Sequence, residues 1–373
     1  MWFGQLVIGP PGSGKSTYVA GVTHILKQLN RKLLIINLDP FIENDIYKAD
    51  INISELIDIN KVFLDLELGP NGTLIFCIEY LLTNFDWLEE KIKKHKDCYL
   101  IIDTPGQVEL YTHNDALKKI VLNLNKLSCR LTSVHIVDST LCSDNYKYIS
   151  ALLLSLCSQI HLELPHVNVF SKIDLLKYFK NDLNFPLSYY VEAQNLNQLM
   201  LYNKYQNYSD GAGSDGTDSG GTGSDKTDSD KTESDMISYD MDNPNTSNTK
   251  ENIVNVVKNK IKDGFIKNAK KNYYKLSNKY IKLNEYICET VEDYNIINFA
   301  LLDIQDKHSV LKLLKIIDGA NGFRFSSIYS EYSLFDTYAQ SVEYDCDEIQ
   351  EKIIEASDNE NEKFDQGIDE DID

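Results

Sequence analysis

Residues 9–16 read Gly-Pro-Pro-Gly-Ser-Gly-Lys-Ser, and this stretch constrains the fold more than any other part of the chain. It matches the P-loop pattern G-x-x-x-x-G-K-[ST], in which backbone N–H groups surround phosphate groups at the start of a helix. An apolar run at 3–8 precedes it, and apolar residues recur at helical spacing over 15–30. The flanks therefore predict a strand, a phosphate-binding loop and a helix, in that order.

The loop supplies most of the predicted nucleotide-binding residues. Lys15 is expected to reach the β- and γ-phosphates of a nucleotide, and the Ser16 hydroxyl is expected to bind Mg²⁺. The other predicted nucleotide contacts in this stretch are Gly12, Ser13, Gly14 and Thr17. The alternative is an ordinary glycine-rich turn between a strand and a helix.

Apolar runs alternate with helical patterns along the rest of the chain. Further strands are predicted at 32–40, 98–103, 133–138, 166–170 and 294–302, and further helices at 73–94, 114–127, 144–160 and 306–318. Strands that alternate with helices form a mostly parallel sheet with helices on both faces, the α/β architecture of a P-loop NTPase. Ligands of such sheets bind at the carboxyl ends of the strands, so the motifs at those ends are the candidate site.

Charge and composition divide the chain. The net charge is −20, but residues 206–250 hold 10 acidic and 3 basic residues, and residues 343–373 hold 14 acidic and 2 basic residues. The Ser/Asp/Gly-rich segment 206–250 cannot bury a core and is predicted to be disordered, either as a phosphorylatable interaction loop or as a tolerated surface insertion. The predicted domains are therefore 1–205 and 251–325 as two parts of one P-loop NTPase domain, the insert between them, and an acidic tail at 326–373.

The same features limit the partners and the compartment. Outside the two acidic segments the chain is nearly neutral, which argues against direct binding to nucleic acid. No run of about 18 apolar residues predicts a membrane helix, and the chain enters its first strand without a signal-peptide pattern. The seven cysteines form no C-x-x-C pair, which favours free thiols in a reducing compartment. We expect a cytoplasmic protein that does not bind a membrane.

A second phosphate-related motif follows the predicted strand at 98–103. The sequence Asp-Thr-Pro-Gly begins at Asp103; a carboxylate at this position is expected to hold Mg²⁺, usually through water. Hydrolysis also needs a side chain that orients the attacking water, and Gln107 or Glu109 is placed to do so. Asp39, at the end of the strand at 32–40, is a further candidate to hold the water or the metal. The alternative is that Asp39 is only a helix-capping acid at the strand end.

The predicted base-reading sequence is Ser-Lys-Ile-Asp at 171–174. It resembles N-K-x-D, in which the Asp accepts hydrogen bonds from guanine N1 and N2, but Ser171 stands where Asn is usual. Asp174 would select guanine over adenine, because adenine lacks that pair of donors. Lys172 would lie along the face of the base. Asp303, at the end of the last predicted strand, is placed to close over the base. A strand-end turn with Asp174 as a cap is the alternative.

The chain has only three arginines, Arg31, Arg130 and Arg324, and none lies in a motif. The charge that develops on the γ-phosphate during transfer therefore needs another source, such as a partner chain. The tripeptide at 69–71, Gly-Pro-Asn, is relevant here because it predicts a stiff, protruding turn that carries an amide.

These motifs together resemble those of the GPN-loop GTPases, and most of all the second of the three eukaryotic paralogue groups. The resemblance covers about 3–205 and 251–325. It rests on the sequences at 9–16, 37–40, 69–72, 103–110, 171–174 and 304–307. Asp303 departs from the pattern, since Asn is common there in this group.

The resemblance implies more than the residues alone. It implies a Mg²⁺-dependent GTPase that works as a homodimer or as a heterodimer with another GPN-loop GTPase, with Asn71 of one subunit reaching the γ-phosphate region of the other. It implies a role in assembling RNA polymerase II, through its subunits or assembly factors, and in bringing it from the cytoplasm to the nucleus. Two alternatives stay open at this point: a P-loop kinase that transfers the γ-phosphate to an acceptor, and a nucleotide-stabilised scaffold without catalysis.

Overall fold

The computed structural model describes residues 1–41, 46–199, 282–326, 349–352 and 354. The chain divides into two compact units, one formed by 1–196 with 287–373 and the other by 197–286. The predicted insert at 206–250 lies outside the described residues, as does most of the predicted acidic tail. The predicted domain boundaries therefore stay predictions.

The first unit holds the sheet and the helices around it. Its strands are β1 (Trp2–Ile8), β2 (Leu33–Asn37), β3 (Ile51–Asn52), β4 (Tyr99–Asp103), β5 (Cys129–Asp138), β6 (His166–Ser171) and β7 (Phe299–Leu301). Its α-helices are α1 (Lys15–Gln28), α2 (Ile59–Asp65), α3 (Pro70–Thr83), α4 (Phe85–Lys93), α5 (Glu109–Thr112), α6 (Asp115–Lys126), α7 (Asn145–Leu162), α8 (Leu187–Glu192) and α9 (Lys307–Ala320). Residues 282–294 are helical as well. Short 3₁₀ turns cover Ile53–Glu55, Ser139–Ser143, Ile173–Asp182 and Phe323–Phe325.

The seven strands that the structure describes form one parallel sheet in the order β3-β2-β4-β1-β5-β6-β7. β1 lies in the middle, paired with β4 on one side and β5 on the other. The P-loop therefore leaves the centre of the sheet, next to the carboxyl end of β4, where parallel α/β sheets bind their ligands. The predicted α/β fold with a parallel sheet is confirmed.

Helices cover both faces of the sheet, as predicted. One apolar core lies between the sheet and α3, α4 and α6, and the other lies between the sheet and α1 and α9. Neighbouring strand residues alternate between the two cores: Leu6 belongs to the first and Val7 to the second, and both are fully buried. The strands read as continuous apolar runs because both of their faces are buried.

Several elements differ from the sequence prediction. The helix predicted at 73–94 is two helices, because Asn84 leaves helical geometry at φ −106° and ψ 39° between α3 and α4. The Gly-Pro-Asn tripeptide is not a protruding turn: Gly69 is the N-cap of α3, and Pro70 takes its first position, where its missing N–H costs nothing. The strand β3 has only two residues, too few for any periodicity to predict it.

The expectations about membrane helices and cysteine thiols can be compared with the described residues only. Among the helices that the structure describes, none is long and apolar enough to cross a membrane. The six cysteines that it describes are free thiols.

Candidate nucleotide site

The P-loop has the backbone conformation of a phosphate-binding loop at the start of α1. Gly12 and Gly14 have φ values of 75° and 97°, the left-handed region that glycine enters at little cost. Gly14 is the N-cap of α1, so the first N–H groups of that helix point towards the loop and add the positive end of its dipole. The loop is therefore shaped to bind phosphate oxygens.

Lys15 lies folded along this loop. Its Nζ donates to the carbonyl oxygens of Gly9 (3.0 Å) and Pro10 (3.1 Å). Burial lowers the pKa of Lys15, and the nearby carboxylates of Asp103 and Asp39 oppose that shift. Gly106 comes so close that a Cβ there would lie 2.8 Å from Lys15 Nζ and 3.0 Å from Pro11 Cα, which explains why the Asp-x-x-Gly motif needs glycine at its end.

The two predicted metal residues meet beneath the loop. Ser16 Oγ donates to Asp103 Oδ2 at 3.5 Å, and the Tyr47 hydroxyl donates to the same oxygen at 2.8 Å. Asp103 is fully buried, and its Oδ1 has no partner among the described residues. Burial raises the pKa of Asp103 to about 6, against the lowering effects of the Tyr47 hydrogen bond and of Lys15. Burial, with the neighbouring Asp103, also raises the pKa of Tyr47, so that its hydroxyl stays protonated and donates.

This arrangement fits Mg²⁺. Mg²⁺ prefers oxygen ligands and is usually bound by only one or two protein groups, with substrate phosphates and water as its other ligands. A carboxylate with an unpaired buried oxygen next to a hydroxyl matches that pattern. The described residues contain no group of three or more His, Cys, Asp or Glu side chains that could hold a metal ion on their own. A metal here would therefore depend on the nucleotide for the rest of its ligands.

An open cavity of about 660 Å³ lies over the P-loop. Its lining includes ten of the residues predicted from the sequence: Gly12, Gly14, Lys15, Ser16, Thr17, Asp39, Asn71, Gln107, Glu109 and Lys172. Ser13, Asp103 and Asp174 are not part of that lining. Ser13 and Asp103 are instead buried behind it, whereas Asp174 is exposed at the start of the turn after β6.

The three candidate water-orienting residues have different surroundings. Gln107 is buried, and its Oε1 has no hydrogen-bond partner among the described residues. Glu109 is exposed at the first position of α5. Asp39 accepts a hydrogen bond from the N–H of Phe41 at 3.0 Å; burial raises its pKa, while this bond and Lys15 act to lower it. Of the three, Gln107 is the buried side chain with an unused acceptor.

Asn71 lies in the first turn of α3, exposed on the wall of the cavity of its own chain. The turn is fixed from behind by Thr73, which is fully buried and whose Oγ1 donates to the carbonyl of Gly69 at 3.0 Å. The amide of Asn71 is thus carried by a helix start rather than by a loose loop.

The base-reading sequence is tied to the P-loop. Lys172 Nζ donates to the carbonyl of Gly12 and to Asp138 Oδ2, each at 2.7 Å. The Ser171 hydroxyl donates to the carbonyl of Ser13 at 2.6 Å, so the serine that replaces the usual Asn still links the two motifs. Asp303 accepts from the N–H of Gln305 within its own turn and does not line the cavity.

Several residues of the site were missed by sequence reasoning. Tyr47, Phe41 and Ile46 come from the irregular stretch between β2 and β3, where no periodicity or motif marks them. Asp138 ends β5, and its position at the carboxyl end of a parallel strand is the signal that points to it. Burial acts to raise the pKa of Asp138, but its hydrogen bonds from Lys172 and Thr140 outweigh burial and lower it.

Comparison with known proteins agrees with this site. Residues 7–214 match a family model described as a conserved hypothetical ATP-binding protein. The chain is 36% identical to GPN-loop GTPase 2 of Danio rerio over 362 residues, covering 96% of this chain and 94% of that protein. It is 38% identical to GPN-loop GTPase QQT1 of Arabidopsis thaliana over 361 residues, covering 95% and 98%. The chain belongs to the GPN-loop GTPase family.

Membership in the GPN-loop GTPase family accounts for the motif set as a whole. The GPN-loop GTPase 2 homolog of Dictyostelium discoideum matches all of this chain and 98% of its own length, at 35% identity. A solved structure of a GTPase in its apo form from Pyrococcus abyssi covers 54% of this chain and 77% of its own, with a TM-score of 0.44 and 22% identity, too distant to add to the argument.

Proposed function

We propose that this GPN-loop GTPase hydrolyses GTP to GDP and phosphate in a Mg²⁺-dependent reaction. The observation that carries the proposal is the shared cavity: the P-loop, Gln107, Glu109 and Asn71 all line it, and Asp103 is buried beside Ser16 behind the loop. The names of the relatives support GTP as the nucleotide.

The residues divide the work of phosphoryl transfer. Lys15 and the P-loop N–H groups bind and orient the β- and γ-phosphates. Ser16 and Asp103 would hold Mg²⁺, which neutralises charge on the phosphate oxygens when it is bound. Gln107 orients the attacking water through its unused Oε1, with Glu109 and Asp39 as further candidates. Asn71 donates from its amide towards the γ-phosphate, where no arginine of the chain lies.

A nucleotide panel tests this function. We expect GTP to be hydrolysed in preference to ATP, only with Mg²⁺ present, and Lys15→Ala to lose nucleotide binding or turnover because it removes the charge that bridges the phosphates. Lys93→Ala, which removes an exposed lysine paired with Glu89 on α4, is the matched control and should leave turnover unchanged. Normal turnover in Lys15→Ala would overturn the P-loop assignment.

The same panel separates the alternatives. ATP preference together with phosphate transfer to a small molecule or polynucleotide would favour a P-loop kinase. Nucleotide binding without turnover, even with a second GPN-loop GTPase added, would favour a scaffold.

Guanine selection is proposed to depend on Asp174, whose carboxylate would accept from guanine N1 and N2. Its exposure in the structure leaves it accessible to a base bound beside Lys172.

We further propose that the active form is a dimer, with a second copy or with another GPN-loop GTPase, and that Asn71 acts on the nucleotide of the partner. Asn71 lines the cavity of its own chain, so action within one chain is the direct competitor. The mass of the purified protein with GDP, and with a non-hydrolysable GTP analogue, measures the oligomeric state; a monomer in both, with or without the second protein, would contradict the dimer.

A mixing experiment distinguishes the two modes of Asn71. Asn71→Ala should lower kcat and spare GTP affinity, because its amide matters mainly in the transition state. A mixture of Asn71→Ala with Lys15→Ala should regain activity. In a mixed dimer the Lys15→Ala chain supplies an intact Asn71 to the intact P-loop of the Asn71→Ala chain. A mixture no more active than its two components, with mixed dimers verified by mass, would place Asn71 in its own chain's site.

The proposed cellular role follows from the family resemblance: assembly of RNA polymerase II in the cytoplasm, and passage of this protein to the nucleus. Affinity purification of the tagged chain should recover polymerase II subunits or assembly factors, and Lys15→Ala should change their amount. Recovery that is independent of nucleotide and of Lys15 would argue against a GTP-controlled role.

A further inference from the structure

We propose that Tyr47 is a positioning residue for the metal site: its hydroxyl fixes the carboxylate of Asp103 in the orientation that binds Mg²⁺, and so ties the connection between β2 and β3 to metal binding. This inference rests on the proposed Mg²⁺-dependent GTPase function and names a residue that none of the motifs contains.

The main chain of Asp103 is held on every side. Asp103 is the last residue of β4, in register with Val7 of β1 and Asn37 of β2. Its carbonyl accepts from the N–H of Leu38 at 2.9 Å. The next residue, Thr104, donates from its hydroxyl to the carbonyl of Val7 at 2.7 Å. Only the side-chain torsions of Asp103 remain to be set.

Tyr47 sets those torsions. Its hydroxyl lies 2.8 Å from Asp103 Oδ2, whereas Ser16 Oγ is at 3.5 Å from the same oxygen. The ring is 8% exposed and packs in the core between the sheet and α1, so the hydroxyl is presented from a fixed position. Tyr47 is therefore the short and rigid contact to this carboxylate.

A tyrosine suits this task chemically. It donates one hydrogen bond and carries no charge, so it holds the carboxylate without competing with a cation for its negative charge. Oδ1 is left without a partner among the described residues. A lysine or arginine in the same place would neutralise the group that the metal needs. Hydrogen-bonded residues behind a metal-binding carboxylate change metal affinity by about 10–100-fold when they are removed.

The position of Tyr47 in the chain gives the contact a second consequence. It lies in the connection between β2 and β3, and two other residues of that connection, Phe41 and Ile46, line the nucleotide cavity. The Tyr47–Asp103 bond thus anchors this cavity wall to the metal-binding carboxylate, across 56 residues of sequence.

Tyr47→Phe tests the inference, because it keeps the ring and removes only the hydroxyl. The release of a fluorescent GDP analogue is measured over a range of Mg²⁺ concentrations. We expect the Mg²⁺ concentration for half-maximal retention to rise about 10–100-fold, with GTP KM at saturating Mg²⁺ nearly unchanged. Tyr148→Phe is the matched control: its buried hydroxyl donates to the carbonyl of Tyr190 at 2.9 Å, and its loss should leave the Mg²⁺ titration unchanged.

A double-variant cycle shows whether Tyr47 acts through Asp103. In an Asp103→Asn background, adding Tyr47→Phe should produce no further change in the Mg²⁺ titration. An equal further loss would overturn the inference, as would unfolding of Tyr47→Phe when Tyr148→Phe stays folded, since the hydroxyl would then be structural. If GDP retention by the wild-type protein does not depend on Mg²⁺, the proposed function is contradicted instead. If retention by the wild-type protein depends on Mg²⁺ and Tyr47→Phe gives the same titration, only this inference is contradicted.

Discussion

At the scale of single residues, the site depends on side chains that hold other side chains. Tyr47 holds Asp103, and Asp138 holds Lys172, and neither holder belongs to a nucleotide-binding motif. In both contacts a hydrogen-bond donor stabilises a carboxylate that burial destabilises. At Asp103 burial prevails and the pKa is raised, whereas at Asp138 the hydrogen bonds prevail and the pKa is lowered. A motif therefore names the residues that touch the nucleotide, and the fold supplies the residues that orient them.

Asp138→Asn is predicted to weaken nucleotide binding without changing base selection. The pair is partly exposed, with the side chains of Lys172 and Asp138 at 35% and 22%, so its loss is expected to cost at most about 1 kcal/mol, or about fivefold in affinity. Since Lys172 is proposed to lie along the base whether it is guanine or adenine, the affinities for GTP and ATP should fall together.

Asp174→Asn is the matched comparison for that experiment, and it should lower the GTP/ATP affinity ratio instead. Titration of both nucleotides against both variants distinguishes the two effects. A changed ratio in Asp138→Asn, or an unchanged one in Asp174→Asn, would show that guanine is read elsewhere.

At the scale of elements, the start of α3 replaces the protruding turn that the Gly-Pro-Asn sequence predicts. Proline at the first position of a helix and glycine at its N-cap favour a helix start as much as a turn, and the apolar residues that follow decide between them by packing against the sheet. Cys77, Ile78 and Leu81 of α3 are fully buried. The amide of Asn71 is thereby fixed to the core through one helix.

Thr73→Val is predicted to lower kcat while leaving GTP affinity nearly unchanged. The substitution keeps the shape of a fully buried side chain but removes the hydrogen bond to Gly69, a loss of about 1 kcal/mol in stability, and it loosens the turn that carries Asn71. Thr83→Val removes the same type of bond, to Glu79, at the exposed far end of α3 and should leave kcat unchanged. Steady-state kinetics of the two variants measure the difference, and equal kcat values would rule out a positioning role for this turn.

At the scale of the whole molecule, one buried ion pair joins distant parts of the chain. Arg31, just after α1, donates to Asp318 of α9 at 2.5 Å, across 287 residues of sequence. Both side chains are nearly fully buried, and the Arg31 guanidinium lies 4.5 Å from the ring centre of Phe323. Burial raises the pKa of Asp318, while the charge of Arg31 opposes the shift. Arg31, which lies in no phosphate-binding motif, therefore links the end of α1 to α9.

Asp318→Asn is predicted to destabilise the protein by about 3–5 kcal/mol, because it removes the carboxylate that pairs with the buried Arg31 guanidinium. The double variant Arg31→Met with Asp318→Leu removes both charges and should recover most of that stability. Denaturant unfolding of the three proteins measures the free energies of unfolding. A double variant as unstable as Asp318→Asn would show that packing around the pair, and not its charge, is what stabilises α9.

The sequence by itself determined the parallel sheet, the P-loop and the order of the motifs. These features are local: a loop that binds phosphate is encoded in eight consecutive residues, and a buried strand in one apolar run. The carboxyl ends of parallel strands meet at one edge, so the motifs at those ends were expected to form one site, and ten of the thirteen predicted site residues line one cavity.

Only the tertiary structure decided which side chains support the motif residues. The bonds from Tyr47 to Asp103, from Lys172 to Asp138 and from Arg31 to Asp318 span 56, 34 and 287 residues. The break at Asn84 and the exposure of Asp174 were likewise found only in the structure. Periodicity indicates which face of an element is buried, but it does not indicate which residues contact that face. Those residues come from elements that are distant in sequence and depend on how the layers pack.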